Sequence, residues 1–322
     1  MSPALAKFIG HRLAAAVLTL VGALLFLFII IQFVPGDLAG ILLGPRATPE
    51  LRAQFAARMG LDRPIWEQLM LFFGNAVRGD LGSDIITKRP ILDIVLENLP
   101  NTLQLAGAAL LLSMIFGIAL GCVAALKPGT ILDTVLGVGS VAFITTPSFV
   151  IAIFLLLIFS LQLHWLPVTG GGEPDDPLDR LAHLILPATA LSIGWIGYLA
   201  RLIRASLLEV LSEQHVRMMR AYGVAEVRIV RHFALRLALV PMISVMGLGI
   251  GDMISNAVFV EFVFSRPGIG TMIYNAIRIR NFPIVQAGIL FTVLTYVSAN
   301  LFVDLLNAWL DPRIARSLKQ AT

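Results

Sequence analysis

Residues 13–34 read LAAAVLTLVGALLFLFIIIQFV, an unbroken apolar run entered from Lys7, His11 and Arg12 and left through Pro35-Gly36-Asp37. Two kinds of segment begin this way. A secretory leader carries roughly 7 to 15 apolar residues and ends at a small-x-small cleavage site, whereas a membrane-crossing helix needs about 20. The run has the greater length and ends without the cleavage pattern. It therefore predicts a first transmembrane helix that stays in the mature protein.

Working outward, uncharged stretches predict four more spans: Thr102 to Leu126, about Val135 to Leu163, Leu184 to Ala200 with its flanks, and Phe282 to Val303. Leu237 to Phe264 is apolar except for Asp252 and Glu261 and reads as a further span, fifth in order. The expectation is an all-α polytopic membrane protein with six transmembrane helices. Composition agrees: of 322 residues 57% are hydrophobic and 14% charged, and the mean hydropathy of +0.86 excludes a soluble domain. The net charge of +4 does not point to nucleic acid, because the basic residues sit in short loops between spans. Cys122 is the only cysteine, which rules out an intrachain disulfide and a Cys-rich metal site, and it reads as packing.

The organisation expected is an N-terminal flank and first helix (1–34), an extracytoplasmic loop region (35–101), a five-helix core (102–310) with a cytoplasmic loop at 206–236, and a cytoplasmic tail (311–322). Amphipathic segments around Leu51 to Met59 and Trp66 to Val77 lie in the first loop region. Orientation follows from Lys and Arg in short loops, which favour the cytoplasm. Lys7, Arg12, Lys127, the arginines between 201 and 236, and Arg313, Arg316 and Lys319 fall on one side, against Arg180, Arg266, Arg278 and Arg280 on the other. Both termini are therefore expected in the cytoplasm.

The loop between the fourth and fifth spans, Glu209 to Arg236, reads as two short helices broken at Gly223. Glu213 and Arg217 have the supportive i,i+4 spacing, Arg217 and Arg220 share a face, and Arg228 and Arg231 repeat the arrangement. Val227, Val230 and Ala234 fall opposite Arg228. Gly223 permits a sharp turn, and Pro241 restrains the chain where it re-enters the membrane. Two readings fit this compact amphipathic knob: a basic loop touching anionic headgroups, or a docking element for another protein.

Arg217-Met-Met-Arg-Ala-Tyr-Gly223, followed by Pro241, resembles the coupling signature of ABC importer permeases, the EAA loop. With Gly60-Leu61-Asp62-Arg63-Pro64, Gly79-Asp80-Leu81-Gly82, Leu99-Pro100-Asn101-Thr102, Thr146-Pro147-Ser148-Phe149, Leu186-Pro187-Ala188, Glu261-Phe-Val-Phe-Ser265-Arg-Pro267-Gly268-Ile-Gly270 and Leu310-Asp311-Pro312-Arg313, the chain resembles the first permease subunit of the dipeptide, oligopeptide and nickel importers. Met219 stands where that subfamily usually has alanine, and Tyr222 where it usually has lysine.

The resemblance implies a type I ABC importer permease fold and a non-catalytic subunit forming half of a pathway for peptides or a similar small solute. It further implies a second homologous permease, two cytoplasmic ATPases using ATP and Mg, and an extracytoplasmic solute-binding protein, all at the bacterial inner membrane. None of the four lysines follows a glycine, so the chain has no phosphate loop of its own and no bound cofactor is expected. Arg217, Arg220, Arg228 and Arg231 are the candidates for contacts to acidic groups on an ATPase, with Ala221 and Gly223 permitting close approach. Nickel chelates, glutathione and opines are other solutes of the same permease pattern. A membrane scaffold or receptor without a transport role is the alternative outside transport.

Asp252 and Glu261 are costly inside a bilayer and need partners. Both could line the pathway and attract a peptide amino terminus or another cation, with Asn256 one turn from Asp252 completing a polar stripe. Glu261, ahead of Ser265-Arg266-Pro267-Gly268, could equally hydrogen-bond within a re-entrant gate segment. Thr145-Thr146-Pro147-Ser148 interrupts the third span, either as a bent pathway helix or as a plain kink whose freed carbonyls need partners. His164 and His183 read as interfacial histidines in preference to a metal pair, and Asp304 as a pairing or capping residue near the cytoplasmic interface.

Overall fold

Two glycines set the contact between the two most heavily packed helices. The computed structural model describes residues 3–33, 48–50, 64–84 and 86–310. In it α1 (Pro3–Phe33), α2 (Ile65–Val77), α3 (Ile91–Leu126), α4 (Ile131–Thr145), α5 (Ser148–Leu155) and α6 (Pro177–Ser212) are followed by α7 (Gln214–Ala221), α8 (Val240–Val263), α9 (Ile269–Arg278) and α10 (Phe282–Leu310). The heaviest packing is α3 on α6. A Cβ added to Gly117 would lie 2.7 Å from Leu199 Cβ, and one on Gly121 would lie 2.7 Å from the Ala200 carbonyl oxygen. Glycines four apart thus let the two backbones touch, a device suited to membranes, where packing replaces the hydrophobic drive. On the far side of α6, Gly197 presses against the Ser140 backbone of α4.

Among the described residues five helices are long and apolar enough to cross a membrane: α1, α3, α6, α8 and α10. The third expected span is a broken one. The stretch predicted as a single helix from Val135 to Leu163 is two arms, α4 and α5 with its π-helical extension Leu156–Gln162, set at 104°. Pro147 causes the break by driving Thr146 into extended conformation (φ −87°, ψ 122°). Thr145 Oγ1 donates to the Val141 and Ala142 carbonyls and Thr146 Oγ1 to that of Ala142, so hydroxyls reinforce the last turn of the first arm.

Helix α3 also begins earlier than expected, at Ile91 inside the predicted loop region, and accommodates Pro100. The Leu51–Met59 segment, the Pro35-Gly36-Asp37 exit and the 311–322 tail lie outside the described residues. Arg12 of α1 pairs with Asp304 of α10 at 3.1 Å. Asp133 of α4 accepts two hydrogen bonds from the Arg204 guanidinium of α6, at 2.6 and 2.7 Å. Near the other end, loop 82–90 is tied to the α9–α10 turn. The Asp84 carboxylate accepts from the Ile86 and Thr87 amides, from Thr87 Oγ1 and from Asn281 Nδ2.

Burial works against ionisation of Asp84, but these donors together hold its carboxyl below the ordinary aspartate value of 3.8. A depressed carboxyl stabilises the fold above its unfolded pKa and ceases to as pH falls through its folded one. Protection of the Ile86 and Thr87 amides against hydrogen exchange, relative to the intrinsic rate, should therefore fall below about pH 4, and Asp84→Asn should remove that dependence. A second expectation concerns the glycine contact. Gly121→Leu should destabilise the fold by about 1 to 3 kcal/mol through overpacking, read from unfolding midpoints in mixed micelles. Gly107→Leu, on an open face of the same helix, should leave the midpoint nearly unchanged.

Candidate functional site

The basic knob is welded to the bundle. Helix α6 runs to Ser212, and the chain breaks at Glu213 before α7. Val216, Ile229, Ala234 and Ala238 are buried against Ala125 of α3 and Leu207 and Val210 of α6. Cys122 packs at the edge of the same cluster. The return from the turn is a short helix Glu226–Arg228, π turns over Ile229–Ala234, and Leu235–Ala238 leading into α8, with Pro241 in its first turn. The wider π turns reposition the apolar face by a residue relative to a regular helix. Ile229 is buried, while Val227, expected opposite Arg228, is exposed.

Two expected contacts differ. Glu213 lies outside the helix that holds Arg217, and its carboxylate meets His215 Nδ1 at 2.9 Å. Arg220 is committed within the knob. Its guanidinium donates to both Glu226 carboxylate oxygens, at 2.6 and 3.0 Å, and to the Leu211 carbonyl. The hydrogen bonds to Glu226 raise the Arg220 pKa and lower that of Glu226, so the staple across the turn stays charged. Gly223 adopts φ +77° with open space around it, so the turn conformation selects glycine there. Arg217, Arg228, Arg231, Ala221 and Tyr222 project outward.

Far from the knob, α8 presents an exposed stripe of Leu248, Asp252, Ser255, Phe259 and Phe262. Asp252 accepts from Trp195 Nε1 of α6 and from Asn256 Nδ2, both at 2.9 Å. Trp195 covers Gly249, and its ring meets Tyr198 edge-on at 5.3 Å. Phe149, just beyond the Thr146-Pro147-Ser148 break, lies 6.3 Å from Phe259. The break and Asp252 therefore border one surface. Trp195 is the residue that sequence reading missed, since a lone tryptophan in an apolar span carries no signal of its partner.

Glu261 is elsewhere: it is fully buried and lines no wall. Its carboxylate accepts from Thr102 Oγ1 of α3 at 2.6 Å and from the Gly270 amide at 2.8 Å, while Thr102 Oγ1 accepts from the Ile269 amide at 2.9 Å. Two amides left open at the start of α9 are thereby met, and the negative charge lies at the positive end of that helix. Any Cβ on Gly268 or Gly270 would collide with this carboxylate. Arg266 is buried beside it and donates to Gln104. The Gly-rich loop Gly170-Gly171-Gly172 packs over the hairpin 264–281 between α8 and α10, Gly170 donating to the Phe264 carbonyl and Gly171 lying against Pro267. His164 and His183 bond to backbone carbonyls of their own segments. Among the described residues no group of His, Cys, Asp and Glu is placed to hold a metal ion.

Thr102→Val should cost about 1 to 3 kcal/mol by leaving the Ile269 amide and a Glu261 oxygen without partners. Thr102→Ser should restore most of it. Unfolding midpoints of the purified protein in micelles check both.

Comparison with known proteins gives this geometry a context. Residues 5–106 match the family of binding-protein-dependent transport system membrane components, N-terminal region, and residues 117–316 match the family of binding-protein-dependent transport system inner membrane components. The chain is 36% identical to the di/tripeptide transport system permease protein DppB of Pseudomonas aeruginosa, covering 96% of this chain and 98% of the relative. It is 37% identical to the probable D,D-dipeptide transport system permease protein DdpB of Escherichia coli (95% and 96%) and 33% identical to the glutathione transport system permease protein GsiC of the same organism (96% and 98%). Among solved structures, one from the MetNI methionine ABC transporter in inward-facing conformations aligns with a TM-score of 0.49 at 16% identity, covering 70% of this chain and 96% of that one. The family matches and the near full-length likeness to transport permeases establish that the chain belongs to the binding-protein-dependent transport system inner membrane components, as a multi-pass permease subunit of a bacterial inner-membrane importer.

Proposed function

We propose that this permease passes short peptides, and that the knob at 206–236 is where an ATPase subunit drives it. The substrate class rests on the named substrates of its relatives, which include di- and tripeptides, D,D-dipeptides and glutathione. The single observation that supports the coupling role is the knob's construction. Its inner face is buried on the ends of α3 and α6 while Arg217, Arg228 and Arg231 stand free outside, so a push on the arginines moves the bundle instead of bending a loop.

In this reading the knob lies in the cytoplasm and the hairpin 264–281 faces outward. Two ATPases, fuelled by ATP and Mg, close on nucleotide and tilt α6 and α8. A second homologous permease completes the pathway, and a solute-binding protein delivers substrate to the outer face. The interruption at Thr146-Pro147-Ser148 and the surface with Asp252 and Asn256 border that pathway, and Glu261 anchors the outer hairpin. Rocking of one half against the other is a familiar way of alternating access.

The test uses the four-subunit assembly in nanodiscs with its binding protein. Charge reversal by Arg217→Glu with Arg228→Glu, which spares the buried Val216 and Ile229, should cut binding-protein-stimulated ATP hydrolysis by about tenfold or more, as loss of close charge pairs at interfaces does. Unchanged stimulation would return the knob to a basic loop resting on lipid headgroups.

A further inference from the structure

The carboxylates of the membrane-crossing helices are compensated in different ways. Asp304 has Arg12, Asp133 has Arg204, and Glu261 has the start of α9 with Arg266 beside it. Asp252 lies in the span Val245–Val263, and its hydrogen-bond partners are the neutral Trp195 indole and Asn256 amide. Among the described residues no cationic side chain pairs with it. It is also exposed, on a stripe otherwise made of Leu248, Ser255, Phe259 and Phe262. An ionised side chain at membrane depth faces protein or a water-filled path, not lipid. A carboxylate oriented by two neutral donors is therefore presented on that surface.

We infer that Asp252, oriented by Trp195 and Asn256 and flanked by Tyr198, is a subsite for a substrate ammonium group, so that the pathway favours cargo carrying a free amine. The inference deepens the peptide-permease reading and rests on it. The chemistry of the surround selects the ligand. Trp195 and Tyr198 are aromatic neighbours whose ring faces suit a soft organic ammonium. A hard divalent ion would need several oxygen ligands, and among the described residues no second carboxylate is grouped with Asp252 to hold one. Trp195 Nε1 and Asn256 Nδ2 each approach the carboxylate at 2.9 Å, leaving acceptor capacity on both oxygens for an incoming N–H.

The test reads the site directly. In the full chain in nanodiscs, with Trp66, Trp165 and Trp309 replaced by Phe, the emission of Trp195 is titrated with trialanine and with N-acetyl-trialanine, which has no ammonium. Trialanine should bind at least about tenfold more tightly than its acetylated form. Asp252→Asn, an isostere that keeps the indole bond, should abolish the difference, and Asp252→Glu should retain part of it. Equal responses to the two probes, no response to either, or a difference that survives Asp252→Asn overturns the subsite. The ATPase assay of the assembled wild type separates the two claims. Intact binding-protein stimulation with a negative titration sinks only this inference, whereas absent stimulation sinks the importer mechanism beneath it.

Discussion

The backbone contact between α3 and α6 at Gly117 and Gly121 is the constraint on which the remaining architecture hangs. Lipid tails compete on equal terms with apolar side chains, so a helix pair in a membrane gains mainly by fitting closely. With no Cβ at these two positions, α6 can lie against α3 on one side and, through Gly197, against α4 on the other. Helix α8 then packs on both α3 and α6. The buried patch under the knob forms where the same two helices end, so the geometry of the knob is inherited from the glycine contact.

Polar groups within this bundle divide into those that are satisfied internally and those that are not. Thr102 and Glu261 use one hydroxyl and one carboxylate to meet two amides of α9, which fixes a helix that does not cross the membrane to two that do. Arg204 with Asp133 and Arg12 with Asp304 join helices near the knob end. These are closed accounts in which each charge has an opposite or a helix end. Asp252 differs because its donors carry no charge and its oxygens remain reachable.

Much of this was legible in the sequence. The long apolar runs, the turn at Gly223 and the pairing of Asp252 with Asn256 on one helix face follow from local spacing, and each recurs in the structure. What local spacing does not carry is direction. Pro147 marks an interruption, but the 104° between the arms depends on where α6 receives them. The loop region is expected to reach 101, yet α3 starts at Ile91 and continues through Pro100. The staple from Arg220 to Glu226 crosses a turn at six residues' separation and the Trp195–Asp252 bond joins residues 57 apart, so neither has a periodic signature. Gly117 and Gly121 did have one, a four-residue spacing of small residues, but inside a uniformly apolar span it looks like composition.

Helix α6 runs unbroken for 36 residues from the Asp176 cap to Ser212, a rod about 54 Å long at 1.5 Å per residue. Its first turn is gripped by the Gly-rich loop, where Gly172 lies against the Arg180 backbone, and its last turn carries the knob. A rod of that length pivoting about its centre by about 5° displaces each end by about 2.4 Å in opposite senses. For a rod pivoting in this way the mechanical advantage between its two ends is near unity: small travel imposed at one end reappears, reversed, at the other.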